Sequence, residues 1–459
     1  RGNKMAVIIV ILVIYMAGML AIGFAGKKKS ATMTEFLTAG KSGGMFVMVC
    51  TYIGAHVGNG IVVGSAQYGA EYGIGGMWYG LGACLSYVLF ALVMSRLLYT
   101  RGYITIPDLI RDRYKSKFAS VLMAVLNICA TLGIMAAQIM AGCALFEALG
   151  LNPTLGGIVM AVVVFIYCSI SGMWGVMITD SVQTLVIFFS TVFCIVIVAM
   201  QGGFDAISAA LPASAFDPVP FSGERLVMML VPSALNGLIS GAAYQRTASC
   251  KDEKVAFWSP IIAAAVLIPF VIMPVVIGMY GKALFPDAPT ASILFTVVLQ
   301  DMPPIVAGLM IAAVLSAVMS TMDIGLLNVT ANAVNDIYFK TLNPKADERK
   351  LGRLSAIVTL VSGVIALVLA ISSSSILSLL SSTYSIMNAG ALVMVLGGVF
   401  WKKGTKEGAI ASALCGMAMI ILNKCGVQIP YIAFTSLIPA LIAYIVVSLA
   451  TQPKNAEAK

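Results

Sequence analysis

The chain has 459 residues, 60% of them hydrophobic and only 10% charged, with a formal net charge of +9. So few charges cannot cover a water-soluble protein of this length, and the basic residues sit in short stretches between apolar runs, a pattern that excludes a nucleic-acid-binding protein. Nine cysteines without a CxxC pair and a single histidine exclude a disulfide framework and zinc or haem chemistry.

Runs of about 20 apolar residues, enough to cross a bilayer as a helix, recur along the chain. Thirteen spans are expected at roughly 5–25, 45–66, 75–99, 119–146, 154–172, 180–201, 226–245, 256–281, 303–337, 351–371, 375–400, 406–423 and 430–450. Transmembrane β-strands would be shorter and would alternate. The first run, with Arg1 and Lys4 ahead of it, resembles a signal peptide, but its length and the Lys27, Lys28, Lys29 stop favour a retained span. The ninth is long enough for a helix plus a cytoplasmic extension, and 284–302 fits a short extracellular helix. With the N-terminus outside, 23 Lys and Arg fall on the inside, Arg246 among them, and five outside, which favours an outside N-terminus and a cytoplasmic C-terminus.

Helix weakeners concentrate in two spans. Span two carries Gly54, Gly58, Gly60 and Gly64; span seven carries Pro232, Gly237 and Gly241. A broken helix in a membrane is tolerable only beside a cavity or a bound ion. The two lie five spans apart, the pattern of two five-span halves of opposite topology. The expected fold is an all-α polytopic membrane protein of about 13 transmembrane helices with a 5+5 inverted repeat. Residues 1–44 hold an extra N-terminal helix and the first cytoplasmic loop, 45–201 the first repeat, 226–400 the second, and 401–459 two further helices and a tail.

Span nine has the strongest local signal, "AAVLSAVMSTMDIGLLNVTANAVNDIY" at 312–338. Ser320 and Thr321 are adjacent hydroxyls in an apolar helix, and the Ala317 carbonyl can face the same point. Sodium requires several such oxygens, and span two could supply more. The alternative is that both hydroxyls bond only to their own preceding turn.

This segment resembles the sodium-site helix of the sodium/solute symporter family, which includes proline, pantothenate, choline, sialic-acid and sugar transporters. "SGMWGVMITDSVQTL" (171–185), "YQRTASCKDEKVA" (244–256) and "RGYITIPDLIRDRY" (101–114) resemble other family stretches. The resemblance implies the leucine-transporter fold with one extra span in front, and a sodium site at the carbonyls of Gly54, Val57 and Ala317 with the hydroxyls of Ser320 and Thr321. Some members hold a second sodium at the position of Asp180; the serines that accompany it there fall at Asp323 and Ile324 here. Without that second ion, Asp180 would be a structural cap near the start of span six.

The resemblance places the lone histidine, His56, where proline-type members have Asp, sugar-type Asn and choline-type Trp. It is expected to meet spans four and seven and to contact solute, with a packed imidazole or a proton site as alternatives. Asn236 and Ser240 share a helix face; Asn59, Met135 and Gln138 are further solute candidates. His56, Met135 and Ser240 stand at the aromatic positions of choline-type members, so a choline cage is not expected. No buried Arg or Lys is expected to face the site. The expected function is sodium-coupled symport of a small polar organic solute by alternating access in the cell membrane, with lipid, solute and sodium as partners and no cofactor beyond the coupling ion. A proton-coupled carrier using His56 and a sodium- or solute-dependent membrane sensor are the alternatives; the latter would need a soluble partner beyond the terminal "TQPKNAEAK". No nucleophile–base pair or metal cluster points to an enzyme.

Overall fold

A computed structural model describes residues 2–58, 60–373, 388–427 and 435–452. Among these residues the chain is all-helical, with no strand beyond a single backbone bridge between Gly43 and Cys250. Helices satisfy their own backbone groups, as a chain in lipid must. Eight helical runs are long and apolar enough to cross a membrane, nine if the bent pair Gly223–Ile239 and Gly241–Ser249 forms one span. Spans eleven and thirteen of the sequence reading lie partly outside the described residues.

The chain begins with α1 (Gly2–Ala25) and a short α2 (Met33–Thr38), started by a capping box between Thr32 and Glu35. The first broken span comprises α3 (Met45–His56), a π-helical turn at Gly60–Gly64 and α4 (Ser65–Tyr72). α5 (Trp78–Phe90), α6 (Arg96–Arg101) and α7 (Ile106–Tyr114) lead to α8 (Lys117–Ala148), which Ser116 caps. Next comes α9 (Pro153–Met200), with Asn152 as its cap and proline in its first turn.

At about 1.5 Å per residue a run the length of α9 is roughly twice the bilayer core. Its helical geometry is interrupted at Gly172, where φ is 53° and ψ −147°. The residues between expected spans five and six are helical, and the break in the run falls on that one glycine. A Cβ there would stand 2.6 Å from the Phe36 carbonyl, so α2 seats against the bend because nothing projects from it.

α10 (Gly203–Ala210) precedes the second broken span, α11 (Gly223–Asn236) and α12 (Gly241–Ser249). Then follow α13 (Glu253–Leu284), α14 (Ile293–Gln300) in the stretch expected to hold a short helix, and α15 (Pro304–Thr330), extended by a π-helical segment Ala331–Leu342. α16 (Glu348–Ser372), α17 (Val393–Phe400), α18 (Lys406–Lys424) and α19 (Leu437–Ala450) complete the described helices.

α15 is the central helix: 78% of its apolar window is buried, against 22% for α1 and 33% for α16. It packs on α9, α8 and α1. Lys4 at the head of α1 donates to the carbonyls of Leu299 (2.8 Å) and Met302 (2.5 Å), so that end lies beside the start of α15. Around α3 and α4 lies α13. A Cβ on Gly278 would fall 1.8 Å from the Ala66 carbonyl, and one on Gly69 2.1 Å from that of Val275, so α4 and α13 touch backbone to backbone.

That contact sets a test. Gly278→Ala should destabilise the detergent-solubilised protein by about 1–3 kcal/mol or more, through overpacking, whereas Gly18→Ala, with nothing within 4 Å of the added carbon, should leave the melting temperature unchanged. Equal melting temperatures for the two variants would refute the close crossing.

Candidate functional site

Two helix ends and one unbroken helix build the site. α3 stops at His56 because Val57 leaves the helical region (φ −77°, ψ 59°), although its N–H still reaches the Ile53 carbonyl at 2.8 Å. In the second broken span the backbone opens at Ser240 (φ −77°, ψ 104°), and the two halves are bent by 48°. The Ser240 hydroxyl accepts from the Ala243 N–H at 3.4 Å and caps α12. Asn236, the last residue of α11, is half-buried. The start of the first broken span is tied to the end of the second: Gly43 N–H donates to Ser249 O and Lys251 N–H to Gly43 O, each at 3.0 Å.

The unbroken helix α15 meets the first break through its hydroxyls. Ser320 Oγ donates to the Gly54 carbonyl at 2.8 Å. It also lies 3.3 Å from Ala317 O, and Thr321 Oγ1 donates to the same carbonyl at 3.2 Å. Thr321 thus makes the back-bond a plain membrane helix would make, whereas the single proton of Ser320 goes to Gly54 on another span, the shorter of its two contacts. A Cβ on Gly58 would stand 2.9 Å from Thr321 Oγ1, 3.8 Å from Ala317 O and 3.9 Å from Gln138 Nε2. Gly54, Gly58, Ala317, Ser320, Thr321 and Gln138 therefore share one locus, Val57 is fully buried beside it, and the Gln138 Oε1 is buried without a partner. Met135 packs instead against Gly325, where a Cβ would meet its Cγ at 2.8 Å. Asn59 lies outside the described residues.

Beside Gly54 the structure corrects two expectations. Asp180 is not a helix cap: it lies within α9 and pairs with Arg246, both side chains fully buried, at 3.0 Å. Nor is Arg246 a loop charge; it is a buried cation next to the site, donating through Nε to Thr51 O (2.9 Å) and Thr51 Oγ1 (3.1 Å). The Thr51 hydroxyl in turn donates to Asp180 Oδ2. Asp180 Oδ1 has no hydrogen-bond partner among the described residues and would lie 3.4 Å from a Cβ on Gly54. Asp323 is also fully buried; its Oδ2 accepts from Tyr167 at 2.8 Å, and its Oδ1 has no hydrogen-bond partner within normal geometry among the described residues.

His56 meets span three. Its Nδ1 lies 2.6 Å from the Tyr87 hydroxyl and its Nε2 3.5 Å from Ser86 Oγ. The rings of His56 and Tyr87 meet edge to face at 4.3 Å. Span seven reaches this corner through Gly237, where a Cβ would stand 2.7 Å from Ser86 Oγ. Thr51, Ser86, Tyr87 and Tyr167 are not singled out by the sequence because each looks like an ordinary residue of an apolar run; Arg246 is visible there only as an inside charge within the stretch 244–256.

Removing one member of a buried ion pair leaves the other as an uncompensated charge, a cost of about 3–5 kcal/mol. Arg246→Gln should therefore lower thermal stability sharply, and Asp180→Asn combined with Arg246→Gln should recover part of the loss. A single variant as stable as wild type would show that the pair is not charged.

The profile of the sodium:solute symporter family matches residues 36–416. Over 466 residues the chain is 26% identical to the sodium/pantothenate symporter of Haemophilus influenzae, covering 95% of this chain and 94% of that protein. Over 460 residues it is 25% identical to the sodium/proline symporter of Escherichia coli K12, covering 94% and 89%. Among solved structures, a substrate-bound, outward-open Na+-coupled sialic acid symporter superposes with a TM-score of 0.84 at 16% identity, covering 97% of this chain and 98% of that one. The nucleobase-cation symporter MHP1 superposes at 0.62 with 14% identity, covering 92% and 96%. That likeness shows a shared helical membrane fold, and the sequence match shows more: the chain belongs to the sodium:solute symporter family and is a sodium-coupled symporter, not an enzyme.

Proposed function

We propose that this symporter binds its coupling sodium between the broken span α3–α4 and α15, at the carbonyls of Gly54, Val57 and Ala317 and the hydroxyls of Ser320 and Thr321. The observation that carries this reading is the Ser320–Gly54 hydrogen bond at 2.8 Å, which sets two sodium-type oxygens from different spans within contact. Hydroxyls and carbonyls are hard ligands that sodium takes in place of water. The solute, a small polar organic molecule of the kind named for the relatives (pantothenate, proline, sialic acid), binds next to the ion. In this reading His56, Gln138, Asn236 and Ser240 face it, and Met135 supports it from the Gly325 side.

The same reading gives the protein about 13 spans. They comprise an extra helix in 1–44, five-helix repeats in 45–201 and 226–400 of opposite topology, and two closing helices in 401–459. Each repeat opens with a broken helix. The protein sits in the cell membrane with its N-terminus outside, and sodium entering down its gradient carries the solute inward by alternating access. Coupling requires that each ligand binds better when the other is present.

A second cation beside Asp180 and Asp323 is supported by one observation: among the described residues, each carboxylate keeps one fully buried oxygen without a hydrogen-bond partner. Carboxylate oxygens are hard ligands, and a cation placed there would favour their ionised form.

Sodium-driven uptake in proteoliposomes tests both sites. Ser320→Ala and Thr321→Ala should each raise the sodium concentration for half-maximal uptake by about tenfold, because each deletes a ligand from a small set without opening a large cavity. Unchanged sodium dependence in both variants would remove the ion from this place. Asp323→Asn should lower the Hill coefficient for sodium towards one; a wild-type coefficient of one would dismiss the second cation.

A further inference from the structure

The His56 imidazole is held by a hydroxyl whose proton is already committed. Tyr87 Oη donates to the Tyr52 carbonyl, and His56 Nδ1 lies 2.6 Å from the same oxygen. A phenol has one proton. Tyr87 therefore accepts from His56, and Nδ1 is the nitrogen that bears hydrogen. In a neutral ring the lone pair then belongs to Nε2. The described donor nearest to it is Ser86 Oγ at 3.5 Å, the outer limit of a hydrogen bond. Ser86 cannot close up freely, because it is wedged against Gly237 of the second broken span. The ring is half-buried and stands on the last residue of α3, where the backbone opens.

We propose that Tyr87 is a positioning residue which fixes His56 in the Nδ1–H form, and that the transported solute donates a hydrogen bond to His56 Nε2. The proposal rests on the break after α3 being the solute site. It narrows the solute class. A carboxylate or carbonyl oxygen at Nε2 would set lone pair against lone pair. A hydroxyl, an amide N–H or an amine satisfies the acceptor. The solute therefore presents a hydrogen-bond donor to span two, and any acid group it carries is held elsewhere.

His56 is the sole histidine of the chain, so this 459-residue chain grown with 15N-histidine gives one pair of ring resonances. In sodium, wild type should show a protonated Nδ1 and an unprotonated, strongly downfield Nε2. In Tyr87→Phe the two nitrogens should move together as the forms exchange. An Nε2–H form or an averaged pair in wild type overturns the proposal, whether or not the variant folds. The solute arm is a thermal-shift panel in sodium of hydroxy acids, amino acids, amides and amines, each beside its O- or N-alkylated, donor-free counterpart. Stabilising compounds should all carry a donor, move Nε2 upfield without moving Nδ1, and bind about tenfold more weakly to Tyr87→Phe, the worth of roughly one hydrogen bond, with sodium half-activation unchanged. A donor-free compound that stabilises, or a stabilising one that leaves Nε2 unmoved, overturns the specificity. A panel in which nothing stabilises counts against the solute site itself, while the wild-type spectrum decides the form of the ring separately.

Discussion

The hydrogen bond from Ser320 to the Gly54 carbonyl joins a helix that is broken to one that is not. A carbonyl near a helix end in lipid has lost its intrahelical partner and has no water to replace it. α3 can therefore end inside the membrane only because α15 brings hydroxyls to the point where it ends. Thr321 keeps its back-bond to Ala317, Ser320 gives its proton to Gly54, and both hydroxyls lie at the break. The deep burial of α15 holds these hydroxyls in place, because its neighbours pack against most of its surface.

The buried pair of Asp180 and Arg246 fixes the junction from the other side. Arg246 stands on α12, in the second broken span, and reaches Thr51 on α3 and Asp180 on α9. One guanidinium thus joins both broken spans to α9. Such a pair contributes little net stability over an apolar substitute, but its geometry is exacting. Together with the backbone bridge at Gly43 it ties the two broken spans to each other at that end.

Further along α15 lies a second polar cluster. Asn127 donates to Asn328 Oδ1 at 3.2 Å, Asn328 to Thr131 at 3.2 Å and Asn332 to Asn328 Oδ1 at 2.9 Å. Gly241, the first residue of α12, lies against it, with a Cβ position 2.6 Å from the Asn328 amide. Amides are costly in an apolar core unless they bond one another, and here they do so across α8 and α15 with α12 closing over them.

Much of this was legible in the residues themselves. Apolar length gives the spans, because the bilayer core has a fixed thickness; the charge asymmetry of the short connections gives the expected orientation. Glycines at 54, 58, 237 and 241 mark the breaks, because weakened helices in lipid must serve a purpose. Ser320 and Thr321 stand out as paired hydroxyls in an apolar run, and the family resemblance joins them to Gly54. Tertiary structure alone decided the rest. Arg246 reads as a loop charge and becomes a buried cation, Asp180 changes from a cap to its partner, and His56 finds Tyr87 and Ser86 of span three, with span seven reaching the same corner through Gly237. The reason is the same in each case: a helix pattern reports which residues share a face, whereas a hydrogen bond between helices depends on how two faces are set against each other. That register is fixed by close contacts such as Gly278 on Ala66 and Gly172 on Phe36, which leave no periodic trace in the chain.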